Sequence, residues 1–121
     1  MARLDELRVP IRGTCMLPAL RDGDVGLVRP CRVYWPGQIL VFVDPAGKIL
    51  CHRLLAVVRN AQGWRYYCRG DHSPGLDAPV EGARVLGRIT GVLRDGQKRR
   101  LPWPGHLRAW LGSVGEVIRG R

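Results

Sequence analysis

The chain has 121 residues, of which 45% are hydrophobic, so it can build one domain whose core needs no disulfide staples. No segment approaches the roughly 20 apolar residues of a membrane span, and residues 1–8 are too charged for a signal peptide. The four cysteines show no CxxC spacing, which favours reduced thiols. These features predict a soluble, cytoplasmic protein.

The charge balance is strongly basic, with 20 Lys and Arg against 10 Asp and Glu, a net of +10. Residues 94–121 contain seven basic and two acidic residues, a net of +5, which is half of the total. A basic patch attracts the phosphates of lipid or nucleic acid, or an acidic partner. It is equally typical of a solvated protein face, so the charge does not choose a partner.

Alternation of apolar segments and turns predicts a mainly β fold. The predicted strands are residues 25–28, 38–43, 48–58, 64–68, 84–94 and 97–101. Asp95-Gly96 is a favoured two-residue hairpin turn because both positions tolerate a positive φ, whereas residues 70–82 are expected to be irregular. The pattern indicates a coiled antiparallel sheet or a partly open barrel.

The C-terminal segment changes to helical spacing. Apolar residues recur at 107, 110, 111, 114, 117 and 118, which predicts a basic amphipathic helix within residues 102–121. Its apolar face either packs on the sheet or lies on the inner membrane surface. In the second case Arg108, Arg119 and Arg121 would face lipid phosphates, and the protein would be peripheral on the membrane.

The segment most informative about function is residues 13–20, GTCMLPAL, followed by Asp22-Gly23-Asp24. Cys15 stands at the head of a turn, and Met16 and Pro18 restrict the chain after it. A nucleophile needs such a setting: a rigid backbone, an exposed side chain and N–H groups that can bind an oxyanion. Cys15 is therefore a candidate nucleophile.

His52 is the candidate base, although a lone histidine within a strand is ordinarily a core or edge residue. A zinc site from the cysteines and His52 lacks paired ligand spacing, and the adjacent Cys51 and His52 point to opposite strand faces. We therefore predict no metal and no cofactor.

Taken in chain order, four segments resemble the peptidase domain shared by type I signal peptidases and LexA-type self-cleaving repressors. The family's nucleophile segment reads G-x-S-M-x-P followed by a GD turn, and residues 13–18 and 23–24 stand in its place. Residues 37–42, GQILVF, stand in place of the family strand G-[DE]-I-V-V-F. The resemblance covers residues 9–93, and the order of the segments makes it more specific than any one of them.

The other two segments carry the base and the third catalytic residue. His52-Arg53 matches the base position of the histidine-type, endoplasmic-reticulum-like branch, where bacterial signal peptidases and the repressors have lysine. Gly70-Asp71 followed by Asp77 matches that branch's spacing of its catalytic aspartate. The resemblance implies a signal-peptidase-like catalytic domain in residues 1–101, followed by the helix of residues 102–121.

The resemblance also implies a role for each matched residue. Cys15 would attack the scissile carbonyl, His52 would move the proton, and Asp77 would orient His52. The residues expected around the oxyanion and the substrate are Gly13, Thr14, Met16 and Pro18. Asp71 and Arg53 are expected to be structural, with Asp71 in a turn or paired with an arginine.

This chain departs from the family at two positions. Cys15 replaces the family's serine, which indicates catalysis by a thiol, a site that has lost activity, or an engineered substitution. Gly13 stands where signal peptidases often carry a hydroxyl. The N–H of Cys15, helped by the Thr14 hydroxyl, would then bind the oxyanion.

We therefore expect an endopeptidase that binds a peptide or leader segment as an extended strand and cleaves it through an acyl-enzyme. The alternative is an inactive member of the same fold that binds a partner protein, an anionic membrane or nucleic acid. The residues before Val9 are too few for a helix-turn-helix, which argues against a complete LexA-type repressor. We do not expect nucleic acid as a partner.

Overall fold

The computed structural model describes residues 6–101 of the chain. The strands are β1 Leu7–Pro10, β2 Val25–Arg29, β3 Ile39–Val43, β4 Ile49–Asn60, β5 Gly63–Arg69, β6 Val80–Glu81, β7 Val85–Arg94 and β8 Gln97–Arg100. A short 3₁₀ helix, Gly82–Arg84, precedes β7. The predicted helix of residues 102–121 lies outside the described residues.

One curved antiparallel sheet contains the eight described strands, in the order β1-β2-β7-β3-β4-β5-β6, and β8 also pairs with β7. The ten-residue strand β7 pairs with β2 along one edge and with β3 and then β8 along the other. The prediction of a mainly β, antiparallel fold is confirmed at this level. Within residues 6–101, no helix is long and apolar enough to cross a membrane.

Each predicted strand is present, and the hairpin before β8 turns at Asp95-Gly96, whose φ angles are 53° and 77°. Two short strands were not predicted. β1 has only four residues, ends in proline and is mostly exposed, so it lacks the apolar alternation of an ordinary strand. β6 has two residues and lies in the segment predicted to be irregular.

The side chains of β3 alternate between two apolar clusters on opposite faces of the sheet. Ile39 and Val41 belong to the first cluster, which also receives Met16 and Leu20 from the Cys15 turn. Leu40 and Phe42 belong to the second, with Tyr34, Leu54, Tyr66, Cys68 and Val80. The first cluster therefore anchors the segment that carries the candidate nucleophile.

Candidate active site

Cys15 is exposed at the start of a tight turn that its neighbours fix in place. Leu17 N–H donates to the Thr14 carbonyl over 3.1 Å, and Leu20 N–H donates to the Met16 carbonyl over 2.9 Å. Met16 is 4% exposed in the first cluster. Its side chain therefore anchors the turn from within the core.

Two of the three other residues expected around the oxyanion or substrate, Gly13 and Pro18, have separate contacts. Gly13 has a φ of +86°, which favours glycine, and its N–H donates to Asp22 Oδ1 over 2.8 Å. Pro18 lines a cleft with Val92 and Arg94. Gly13 thus shapes the approach of the chain to Cys15, and Pro18 adjoins β7.

A buried ion pair closes the loop that follows the turn. Asp24 is 3% exposed, and its carboxylate accepts from Arg94 Nε and a terminal nitrogen over 2.9 and 2.8 Å. It also accepts from Arg21 N–H over 2.9 Å. The Arg94 contact, opposed by burial, lowers the pKa of Asp24. The nucleophile loop is therefore tied to β7 by an ionised carboxylate.

His52 lies on β4, directly opposite Leu40 of β3 in the register. It is 7% exposed, and its ring makes an edge contact with Phe42 at a centroid distance of 6.2 Å. Neighbouring strand residues point to opposite faces, so His52 and Arg53 leave β4 on different sides. Each of the two binds a carboxylate of the loop of residues 70–79.

Arg53 holds the first end of that loop. Its Nε and a terminal nitrogen donate to the two oxygens of Asp71 over 2.8 and 2.7 Å, and its other terminal nitrogen donates to the Gly37 carbonyl over 2.7 Å. Arg53 is 3% exposed, and such a buried, bidentate pair is rigid. Asp71 N–H also donates to Met16 Sδ over 3.3 Å, which ties the loop to the nucleophile turn.

Asp77 holds His52 at the other end of the loop. Its Oδ2 hydrogen-bonds His52 Nδ1, and its N–H donates to the Cys68 carbonyl over 2.9 Å. Nε2 is then the ring nitrogen left for Cys15, whose thiol is close enough to contribute to the raised pKa of the imidazole. The fold thus assembles Cys15, His52 and Asp77 from a turn, a strand and a loop.

The electrostatics of the three groups favour an ion pair. A hydrogen bond to His52 is the main cause of a lowered pKa for the Cys15 thiol, with a second bond to Ser73. Burial opposes the charged imidazole, but Asp77 and Cys15 outweigh it and raise the pKa of His52. A thiolate beside an imidazolium is the activated form of such a nucleophile.

A donor for an oxyanion is also present. Within residues 6–101, the N–H of Cys15 donates no hydrogen bond to another residue. A backbone N–H on the nucleophile itself is a common oxyanion donor. Thr14, whose carbonyl closes the turn, directly precedes it. The N–H of Cys15 therefore stays the candidate donor for the oxyanion.

Ser73 is a candidate site residue that the sequence pattern does not predict. Its side chain contributes to the lowered pKa of the Cys15 thiol, and the N–H of the preceding residue, His72, donates to the Cys15 carbonyl over 2.7 Å. A Cβ added to Gly70 would lie 2.5 Å from Ser73 Oγ and 2.8 Å from the Cys15 carbonyl oxygen. Only a glycine at position 70 lets the loop approach the nucleophile this closely. No sequence spacing predicts such a contact, because the contact depends on how the loop folds back towards Cys15.

An open cleft adjoins Asp77, one of the three groups. It measures about 410 Å³ and is lined by Phe42, Leu50, Asp77, Pro79 and Val80, among others. Leu50 and His52 are two residues apart on β4 and therefore share a face. A cleft of about 300 Å³ around Tyr34 and Trp64 contains none of the site residues. The cleft beside Asp77 is therefore the candidate place for a peptide.

The other cysteines differ from Cys15. Burial raises the pKa of Cys51 to about 12 and also raises the pKa of Cys68. Cys31 is exposed, and its thiol accepts from Arg88 Nε over 3.4 Å. Within the described part of the chain, no group of three or more His, Cys, Asp or Glu side chains could hold a metal ion.

Compared with protein-family models, with curated proteins and with solved structures, the chain gives no match.

Proposed function

We propose that the chain is a signal-peptidase-like endopeptidase with a cysteine nucleophile. The observation that carries the proposal is the grouping of three residues: Asp77 hydrogen-bonds His52, and the imidazole in turn lowers the pKa of the exposed Cys15 thiol. In this series a buried base, oriented by a carboxylate, contacts a nucleophile, which is the arrangement used in acyl transfer. The sequence resemblance to the histidine-type branch supports the same reaction.

The proposed reaction has two steps. The Cys15 thiolate attacks the scissile carbonyl carbon, and the Cys15 N–H stabilises the resulting oxyanion. The imidazolium of His52 gives its Nε2 proton to the leaving amine as the C–N bond breaks, which leaves a thioester on Cys15. Neutral His52 then takes a proton from water, the hydroxide attacks the thioester, and the peptide acid and the thiolate are released.

Asp77 keeps His52 in the required state throughout. Its contact with Nδ1 fixes the tautomer that directs Nε2 at the thiol, and its charge stabilises the imidazolium. The substrate is proposed to lie extended in the cleft beside Asp77, on the His52 face of β4. A cytoplasmic peptide or leader segment is the proposed substrate class.

Cleavage of a defined peptide mixture tests this function and does not require the natural substrate to be identified first. Peptides of known sequence are incubated with the wild type, Cys15→Ala, His52→Ala and the matched control Cys31→Ala, and new termini are identified by mass spectrometry. We expect the same new termini with the wild type and Cys31→Ala, and their loss with the other two variants. A thioester adduct on the Cys15 peptide after acid quenching would identify the acyl-enzyme.

New termini that persist in Cys15→Ala would reject the proposed nucleophile. No new termini with any variant, together with an unreactive Cys15 thiol, would favour the alternative, an inactive binding module. For that alternative, salt-sensitive binding to anionic vesicles or to nucleic acid is the expected behaviour of its basic surface.

A further inference from the structure

Ser73 brings a hydroxyl to the candidate nucleophile on the loop that carries Asp77. The side chains of Ser73 and Cys15 converge over the Cα of Gly70, since a Cβ on Gly70 would lie 2.5 Å from Ser73 Oγ and 3.2 Å from Cys15 Cβ. The Ser73 side chain also contributes to the lowered pKa of the Cys15 thiol. A thiolate carries no proton, so in a hydrogen bond between the two groups the hydroxyl would be the donor.

The backbone around Ser73 is fixed relative to Cys15. Ser73 N–H donates to the Gly70 carbonyl over 3.0 Å, and Arg69 Nε donates to the Ser73 carbonyl over 3.0 Å. On the preceding residue, His72 N–H donates to the Cys15 carbonyl over 2.7 Å. The loop is therefore bonded to the backbone of the residue whose side chain Ser73 contacts, and the hydroxyl is held in advance of any reaction.

We propose that Ser73 is a positioning residue for the Cys15 thiolate: its hydroxyl donates to Sγ and keeps the sulfur directed at His52. This inference rests on the proposed function. An exposed thiolate would otherwise be solvated by water, which does not fix the Cys15 rotamer. When the thioester forms, the sulfur loses its charge and the bond to Ser73 weakens, while the serine keeps its proton. The residue therefore acts most strongly on the resting enzyme.

A purely structural role would look different. If Ser73 only closed its turn, the bonds of its own backbone would suffice, and loss of the hydroxyl would leave the thiol unchanged. Ser73→Ala removes the hydroxyl and keeps the backbone, whereas Ser73→Thr keeps the hydroxyl. The pair therefore separates the hydroxyl from the loop.

The test is the rate of iodoacetamide labelling at Cys15 as a function of pH, followed by peptide mass spectrometry. It compares the wild type, Ser73→Ala, Ser73→Thr and His52→Ala. Thr90→Ala is the matched control, because the Thr90 hydroxyl donates to the Leu27 carbonyl rather than to the site. Cys31, exposed on the same molecule, is the internal reference.

At pH 6 we expect Ser73→Ala to label Cys15 about three- to tenfold more slowly, the range of a hydrogen bond to a charged group at an exposed site. The pH profile should move to higher pH, and Ser73→Thr and Thr90→Ala should match the wild type. If the pH profile of Cys15 labelling in Ser73→Ala equals that of the wild type while His52→Ala labels slowly, the Ser73 proposal is overturned and the proposed function is not. So would a Ser73→Thr profile as slow as that of Ser73→Ala.

A wild-type Cys15 that labels no faster than Cys31 would instead overturn the proposed function, and the Ser73 proposal with it. Circular dichroism of each variant shows whether it is folded, so that a slow rate is assigned to the hydroxyl and not to a lost structure.

Discussion

His52 and Arg53 are consecutive residues of β4 that leave the strand on opposite faces, and each binds a carboxylate from one loop. Arg53 takes Asp71 in a bidentate pair, and His52 takes Asp77. The loop is thus bonded to side chains from both faces of β4. The orientation of His52 therefore depends on a buried structural ion pair as well as on its own hydrogen bond.

The first prediction concerns pH. The pKa of Cys15 is lowered, so its thiolate persists below the usual thiol range, and the pKa of His52 is raised, so its imidazolium persists above the usual imidazole range. We predict that the two values, which belong to the pair jointly, cross, so that the ion pair dominates between them. Peptidase kcat/KM should fall on the acid side as the thiolate protonates and on the alkaline side as the imidazolium loses its proton.

A rate that rises steadily to pH 9 and above, with no alkaline fall, would contradict the ion pair. It would indicate an ordinary thiol that is activated only by its own ionisation. Iodoacetamide profiles of the wild type and His52→Ala provide the control, because loss of the imidazole should raise the pKa of Cys15.

The second prediction concerns Asp77→Asn, which keeps the side-chain shape but removes the charge that stabilises the imidazolium. We expect kcat to fall about 100-fold, within the range of general acid–base catalysis, with little change in KM. Asp95→Asn is the matched control, because asparagine also tolerates the positive φ of that turn. Equal activity of the two variants would exclude Asp77 from the mechanism.

The third prediction uses two glycines of one loop. A Cβ at Gly70 would meet Ser73 Oγ and the Cys15 carbonyl oxygen at 2.5 and 2.8 Å, whereas a Cβ at Gly75 would meet nothing within 4 Å. Gly70→Ala should lower the free energy of unfolding by about 1–3 kcal/mol and slow the alkylation of Cys15. Gly75→Ala should do neither. Thermal melts and iodoacetamide labelling measure both effects, and a fully reactive Gly70→Ala would show that the loop need not approach Cys15.

The fourth prediction concerns the Asp24–Arg94 pair and stability. Because folding lowers the pKa of Asp24, its contribution is present above the pKa of the unfolded carboxyl, near 4. It is lost as the pH falls through the folded value. Asp24→Asn should cost about 3 kcal/mol at pH 7 and remove this part of the pH dependence. Urea unfolding at pH 7 and pH 3 measures both.

The exposed Asp22 supplies the control for that comparison. In Asp22→Asn the amide oxygen can still accept from Gly13 N–H, so we expect a change below about 0.5 kcal/mol, as for most surface substitutions. If the free energy of unfolding of Asp24→Asn falls with acid as steeply as that of the wild type, the acid sensitivity belongs to another group.

The sequence predicts the strands better than it predicts the contacts of the candidate site. The strands could be predicted because apolar alternation and turn residues are local signals, and β7 and its hairpin show both. β1 could not, because its pairing with β2 depends on the distant fold and not on its own apolar pattern. The grouping of Cys15 with His52 and Asp77 came from a resemblance in the order of segments, not from spacing alone.

The contacts that surround these three residues could not be predicted from the sequence, for a physical reason. A turn or an arginine partner was expected for Asp71, but only the fold shows that the partner is Arg53. Met16 was expected to restrict the chain after Cys15, but only the fold shows that its side chain does so from within the first apolar cluster. Ser73 reaches Cys15 only because the loop folds over a glycine. Such contacts depend on tertiary approach, which no local pattern encodes.

The charge of β8 has a consequence for how copies of the chain behave towards one another. Its four side chains, Gln97 through Arg100, are all exposed, and three of them are cationic. If two copies paired their sheets through β8, six positive charges would lie close together. Their repulsion opposes the edge-to-edge pairing of sheets that leads to aggregates. The charge of β8 therefore opposes self-association of the protein, and this repulsion weakens as added salt screens the charge.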